Sequence, residues 1–354
     1  MSKGIKRMYL LLLTIAGVLI LTAGIGGNGK RIEPNIMSLK PDKVVQEGEY
    51  SKSYYFDVGT KSLGGQGIAF FTNHQNVTLY CNGARFYELL QVDSPWGHTT
   101  GSVWNFVHLP YEATEVRIVL EQCYESYAMD DFHILAGNDR EIYVSLLKDS
   151  AFAMACSIII LAIGVALFVI WMVVRKRTTA VSNVFYLALL SVLFGLWSFN
   201  ETVGATILFK DRVACSFAAF VLLKLLSPTL VLFAREFAGT PKGMVWEVFS
   251  RFMVVEAVIT ISMHMVGIMD LKESVLSTHI ILVVSMIYTI GIVIIALKKK
   301  QITEHVEIYL FAGIVVVIAA IAVFVNYYLG GSHTDIAGRI GFFIFALLAS
   351  SQTA

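Results

Sequence analysis

Lys224 and Glu256 each stand inside a long apolar run, where a charge is expensive to hold. Lys224 is about eleven residues into Val213–Ala234 and Glu256 about twelve into Met244–Met269, so each is roughly 17 Å deep at ~1.5 Å per helical residue. Adjacent antiparallel helices would bring the ammonium and the carboxylate together, either as a static pair that fixes register or as the polar centre of a moving part. Pro228, one turn beyond Lys224, cannot donate to the Lys224 carbonyl and predicts a kink there. Lys224, Glu256 and Pro228 are therefore the candidate hinge. His264, Asp270, His279, His333 and Asp335 gather near the ends of apolar runs. Imidazoles and carboxylates hold zinc, and zinc-bound water hydrolyses, but this spacing is no ligand motif and no metal site is assigned. Trp96 and His98 lie in the turn-rich Asp93–His98, and Tyr124 and Tyr127 in a second polar stretch; these four are the candidate ligand contacts, with rings able to stack on a sugar. Phe70, Phe86 and Trp104 are expected to fill a core. Cys81 and Cys123 could be bridged in an exported domain, and two buried free thiols are the alternative. No nucleophile beside a base, phosphate-cradling loop, or kinase or cyclase signature is present, and no cofactor is predicted.

The elements that must position these residues divide the chain between two solvents. Hydrophobic residues make up 56% of the 354 and charged ones only 15%, which excludes a wholly soluble protein. A net charge of +1 without a basic, aromatic-rich face gives no reason to expect a nucleic-acid partner. Residues 1–25, a basic start followed by an apolar stretch, read as a signal peptide or an uncleaved anchor helix. Residues 26–49 read as an extended lead-in. Residues 50–137 show short alternating runs between turn residues, which predicts an antiparallel β-sandwich of jelly-roll kind. Within it, Asn82-Gly83 supplies a two-residue type I′ hairpin, with Val77, Leu79 and Cys81 on one face. After a connector at 138–150, residues 151–354 carry seven apolar runs, most near the ~20 residues a bilayer crossing needs. Arg175, Lys176, Arg177, Arg235, Lys242 and Lys298 to Lys300 mark their loops as cytoplasmic and place the sandwich outside the cell. The seventh run reaches Ala354 with no basic flank, so the chain is expected to continue into a cytoplasmic domain; a natural terminus is the alternative.

Phe70-Phe-Thr-Asn-His74, Val77-Thr-Leu-Tyr80 with Asn82-Gly83, Gly101-Ser-Val-Trp-Asn-Phe-Val-His-Leu-Pro110 and Val116-Arg-Ile-Val-Leu120 carry a resemblance. An exported sandwich, a connector and seven spans resemble the bacterial seven-transmembrane receptors with diverse intracellular signalling modules. The exported domain is similar to that of membrane-bound GGDEF-type proteins of Gram-positive gut bacteria. The resemblance implies a carbohydrate-binding-like jelly roll that senses an extracellular small molecule or carbohydrate. It also implies a bundle in the plasma membrane lipid that signals to a diguanylate cyclase or histidine kinase, and a homodimer by analogy with how such outputs work. A secondary transporter and a metal-dependent intramembrane hydrolase are the competing readings.

Overall fold

The computed structural model describes residues 36–91, 94–124, 132–175, 182–238, 244–299, 318–319, 321, 323 and 336–353. The proposed signal or anchor segment, Tyr127, His333, Asp335 and nearly all of the sixth apolar run lie outside these residues. The described chain forms two compact units, one from Gly26–Ser150 together with Val203–Ala218, the other from Ala151–Thr202 and Ala219–Ala354.

Among the described residues nine strands build the first unit: β1 (Met37–Leu39), β2 (Lys43–Gln46), β3 (Ser51–Asp57), β4 (Gly67–Asn73), β5 (Gln75–Cys81), β6 (Ala84–Leu89), β7 (Ser102–His108), β8 (Glu115–Gln122) and β9 (Ile134–Gly137). They pair antiparallel into one sheet of order β1-β9-β4-β7 and another of order β2-β3-β8-β5-β6. Phe56, Leu79 and Ile118 from one sheet and Ile68, Phe70 and Ile134 from the other share a single core, so the two sheets face each other. On β5 the side chains alternate as a strand with one wet face must: Val77, Leu79 and Cys81 are buried, and Thr78 and Tyr80 are half-buried. The β5–β6 turn has φ of 48° at Asn82 and 81° at Gly83, the double positive that a type I′ turn demands. The Asn82 side-chain oxygen accepts from the amides of Thr114 and Glu115, which ties the hairpin to the start of β8.

One expectation changes here, and two segments gain detail. In the extended lead-in, 37–39 and 43–46 are edge strands paired with β9 and β3. Phe86 is exposed rather than in the core: the register slips between Leu79↔Tyr87 and Tyr80↔Arg85, leaving Phe86 as the extra residue of a bulge. The connector is helical from its first residues, α1 running Asp139–Val174, with Asn138 capping it through a bond from the Arg140 amide. Ile142 and Leu146 of α1 pack on Ala69, with Trp104, Phe106 and Leu135 around them, so the four-stranded sheet is covered on its second face. That explains why β4 reads as an almost unbroken apolar run.

The remaining helices are α2 (Ser182–Asn200), α3 (Val203–Leu208), α4 (Arg212–Ala238), α5 (Met244–Met265), α6 (Val275–Lys298) and α7 (Ile336–Thr353). Among the described residues five helices, α1, α2, α4, α5 and α6, are long and apolar enough to cross a membrane, the mark of a multi-pass membrane protein. α7 contains a shorter apolar stretch, Gly338–Leu348. α1 and α2 approach almost backbone to backbone. A Cβ on Gly195 would stand 2.8 Å from the Leu161 nitrogen, and one on Gly164 2.8 Å from the Val192 nitrogen. Small residues at such seams are how helices gain contact where the surrounding solvent is itself apolar.

Candidate functional site

The helical unit brings Lys224 and Glu256 together. Lys224 Nζ lies 3.1 Å from Glu256 Oε1 and donates to Thr278 Oγ1 at 2.8 Å, so α4, α5 and α6 meet at one ammonium group. Ser277 adds a longer bond of 3.4 Å to the same carboxylate oxygen. The lysine side chain is 1% exposed and that of the glutamate 16%, so the cation is the more deeply committed partner. Thr278 in turn donates to the Ser274 carbonyl at 3.1 Å, continuing the polar path along α6. Pro228 stands inside α4, which continues to Ala238, and the Thr229 hydroxyl donates to the Leu225 carbonyl at 2.7 Å in the same turn. The arrangement can hold a charge within the bundle and link three helices through it.

A second buried cation stands near the start of the seventh apolar run. Arg339 on α7 is 3% exposed; its Nε donates to Ser198 Oγ at 2.9 Å and an Nη to the Ser198 carbonyl at 3.0 Å. Ser157 Oγ lies 2.7 Å from Ser198 Oγ, so the node joins α1, α2 and α7. Ser157 is the lone serine of its apolar run, whereas Ser198 is one of three in the next, so the serines gave little signal.

Of the histidine group, His264 Nδ1 lies 2.7 Å from Asp270 Oδ1 where α5 ends, and His279 sits on the first turn of α6. Among the described residues no three histidine, cysteine, aspartate or glutamate side chains converge to hold a metal. In the same connection Lys272 is buried, with its ammonium 5.7 Å from the centre of the Phe220 ring; burial pushes its pKa down to about 8.

At one end of the β-sheet unit His74 ties two loops together. It sits in the tight corner between β4 and β5 with φ of 55°, and its Nδ1 is 2.7 Å from Thr99 Oγ1. Its backbone donates to the Gly101 carbonyl and accepts from the Cys123 amide, and its ring meets Tyr124 edge-on at 5.6 Å. The stretch with Trp96 and His98 and the stretch with Tyr124 are thus neighbours, and Trp96 and His98 are exposed. Trp96 packs on Phe217 in the first turns of α4, with ring centres 5.3 Å apart. Arg212 Nε donates to the Ser102 carbonyl at 3.2 Å. Gly101, with φ of +73°, leaves room for this contact, since a Cβ there would stand 2.7 Å from the Arg212 carbonyl oxygen.

Cys81 and Cys123 are free thiols. The register explains why: Gln75 opposes Gln122 and Cys81 opposes Val116, so Cys123 belongs at the far end of β5, roughly 20 Å from Cys81 at ~3.3 Å per residue. A disulfide needs Cα atoms within about 7 Å. Burial raises the pKa of both thiols, which keeps them protonated and unreactive.

No protein family, curated protein or solved structure matches this chain.

Proposed function

We propose that this protein is a membrane receptor whose β-sheet unit senses an extracellular ligand and whose helices carry the signal to a cytoplasmic output. The observation that carries the reading is the membership of Val203–Ala218 in the β-sheet unit. Trp96, Gly101 and Ser102 bear on Phe217, Ser216 and Arg212, which open α4, and the same helix holds Lys224 further along. A ligand that shifts the Trp96 loop therefore acts on the helix whose buried cation joins α5 and α6, the two-state element that a coupling mechanism requires. The strand orders β1-β9-β4-β7 and β3-β8-β5-β6, with β2 as an added edge, support a jelly-roll path. The apolar runs at 306–329 and 336–354 supply the sixth and seventh spans of this reading, and the basic flanks orient the β-sheet unit outward. On the resemblance drawn from the sequence the ligand is a small molecule or carbohydrate and the output a diguanylate cyclase, acting as a homodimer.

The test uses the full chain in lipid nanodiscs, titrated with defined cello-, xylo- and chito-oligosaccharides. A sugar that raises the melting temperature should also alter hydrogen exchange across 212–229, and Trp96→Ala should abolish both effects. Binding that leaves α4 exchange unchanged would sink the coupling, and no response to any sugar would remove the carbohydrate. Sugar uptake by vesicles carrying the protein would favour the transporter instead.

A further inference from the structure

The end of α3 shows three large apolar side chains in succession that the described residues leave largely open: Ile207 is 38% exposed, Leu208 65% and Phe209 47%. The other side of this short helix is committed. Gly204 and Ala205 are buried, and Val203 packs in the cluster formed by Ala69, Ile142 and Leu146. Its hydroxyl is turned inward on its own backbone, Thr206 donating to the Val203 carbonyl at 2.8 Å, and the preceding Thr202 donates to the Phe199 carbonyl of α2 at 2.6 Å. Such a segment is built for an apolar solvent on its open side, because covering apolar surface is favourable and water withholds that gain.

Chain continuity identifies that solvent. α2 ends at Asn200 and α4 opens at Arg212, and both are among the helices long enough to cross a membrane. Only Glu201 and Thr202 separate α2 from α3, and only Phe209, Lys210 and Asp211 separate α3 from α4. Two extended residues reach at most about 7 Å. The headgroup layer of one leaflet is about 5–8 Å deep, so α3 begins within it or at its edge. The exposed charges of Lys210 and Asp211 follow the apolar triplet at the level where headgroups can solvate them.

We propose that α3 is an interfacial anchor, with Ile207, Leu208 and Phe209 seated at the boundary between headgroups and acyl chains, and that the lipid bilayer is thereby a direct partner of the β-sheet unit to which α3 belongs. The proposal rests on the multi-pass reading alone and stands whether or not the protein is a receptor. Lipid contact at α3 bears on β7 through Val203 and Trp104, which lie in one cluster, so bilayer composition becomes an input to this unit in addition to any soluble ligand.

The test places a nitroxide at Leu208→Cys in the full chain with Cys81, Cys123, Cys156 and Cys215 replaced by alanine, reconstituted in phosphatidylcholine–phosphatidylglycerol nanodiscs. Collision with oxygen is compared with collision with a water-soluble nickel chelate, and Tyr111→Cys, at an 86% exposed turn of the β-sheet unit, serves as the aqueous reference. The expected result is an oxygen-to-nickel ratio severalfold above the reference. A ratio equal to the reference places the triplet in water and overturns the proposal. Low access to both reagents with spin–spin broadening places it against a second copy of the chain and overturns it equally. Should the cysteine-free background fail to assemble, Phe209→Trp in the native chain decides between the same outcomes. Quenching of the added fluorescence by lipids brominated near the headgroup supports the anchor, and quenching by aqueous iodide refutes it.

Discussion

Lys224 donates to two side chains and is almost wholly enclosed, whereas Glu256 keeps part of its carboxylate open, so the two ends of the pair are not equivalent. Removing the glutamate leaves a buried ammonium with only a hydroxyl partner, a loss of about 3–5 kcal/mol for an uncompensated charge. Removing the lysine leaves a carboxylate that is less enclosed and keeps the Ser277 hydroxyl as a donor. Glu256→Gln should therefore lower stability by more than Lys224→Met, read as unfolding in detergent, and the swap Lys224→Glu with Glu256→Lys should recover most of what either single charge reversal loses. The pairing was legible in the sequence because equal depth in neighbouring antiparallel runs is a geometric statement that needs only the helical rise. Thr278 was not, since a threonine in an apolar run gives no sign of what faces it, and neither was the contact of Arg339 with Ser198, because charge alone does not separate a helix end from a buried first turn. Lys272 offers a separate check through pH. Its folded pKa of about 8 lies below the unfolded value near 10.5, so between these the unfolded chain binds a proton that the folded chain refuses. Stability should rise as pH climbs from 8 to 10, by about 1–3 kcal/mol, and Lys272→Met should flatten that rise in a melting series.

The α1–α2 seam turns on two glycines whose spacing the sequence shows but whose meaning it hides. At Gly195 the atoms that a methyl group would strike are the Leu161 nitrogen at 2.8 Å and its Cα at 3.0 Å; these are backbone and cannot swing aside. Gly195→Ala should thus force the helices apart and cost about 1–3 kcal/mol. Gly291 on α6 has nothing within 4 Å of the same position, so Gly291→Ala should be neutral or stabilise by up to about 1 kcal/mol through helix propensity. Melting temperatures of the two variants in one detergent would show opposite signs, and equal losses would mean that the seam is not close-packed. Strand reading fared better than helix packing. The alternation of β5 and the Asn82-Gly83 turn announce themselves within a few residues, so β5 and the hairpin that follows it lie where periodicity puts them. Phe86 failed as a core residue because a bulge adds one residue to β6 and breaks the period of two on which the expectation depended. The edge strands β1 and β2 failed to register because segments of three and four residues are too short for any period to emerge.

One of the two compact units is discontinuous in sequence, a feature that no local pattern could reveal, since Val203–Ala218 is separated from Ser150 by a membrane-length stretch of the other unit. The segment belongs with the strands through Val203 against the Ala69 cluster, Arg212 on the Ser102 carbonyl and Phe217 on Trp96. If these contacts define a cooperative unit, loosening the β core must loosen the segment, however far apart the two lie along the chain. Ile118 is fully buried between the sheets, and Ile118→Ala should cost about 2–5 kcal/mol there. Amide exchange should then quicken across 203–218 together with β3 and β8. The amides of α5 around Glu256, which belong to the other unit, should keep their rates. The opposite pattern, with 203–218 following α5 and indifferent to the β core, would assign the segment to the helical unit and remove the contact through which a ligand on the Trp96 loop is read by α4. Exchange measured along the native chain and the Ile118 variant therefore tests at once the division of the fold and the first link of the signalling route.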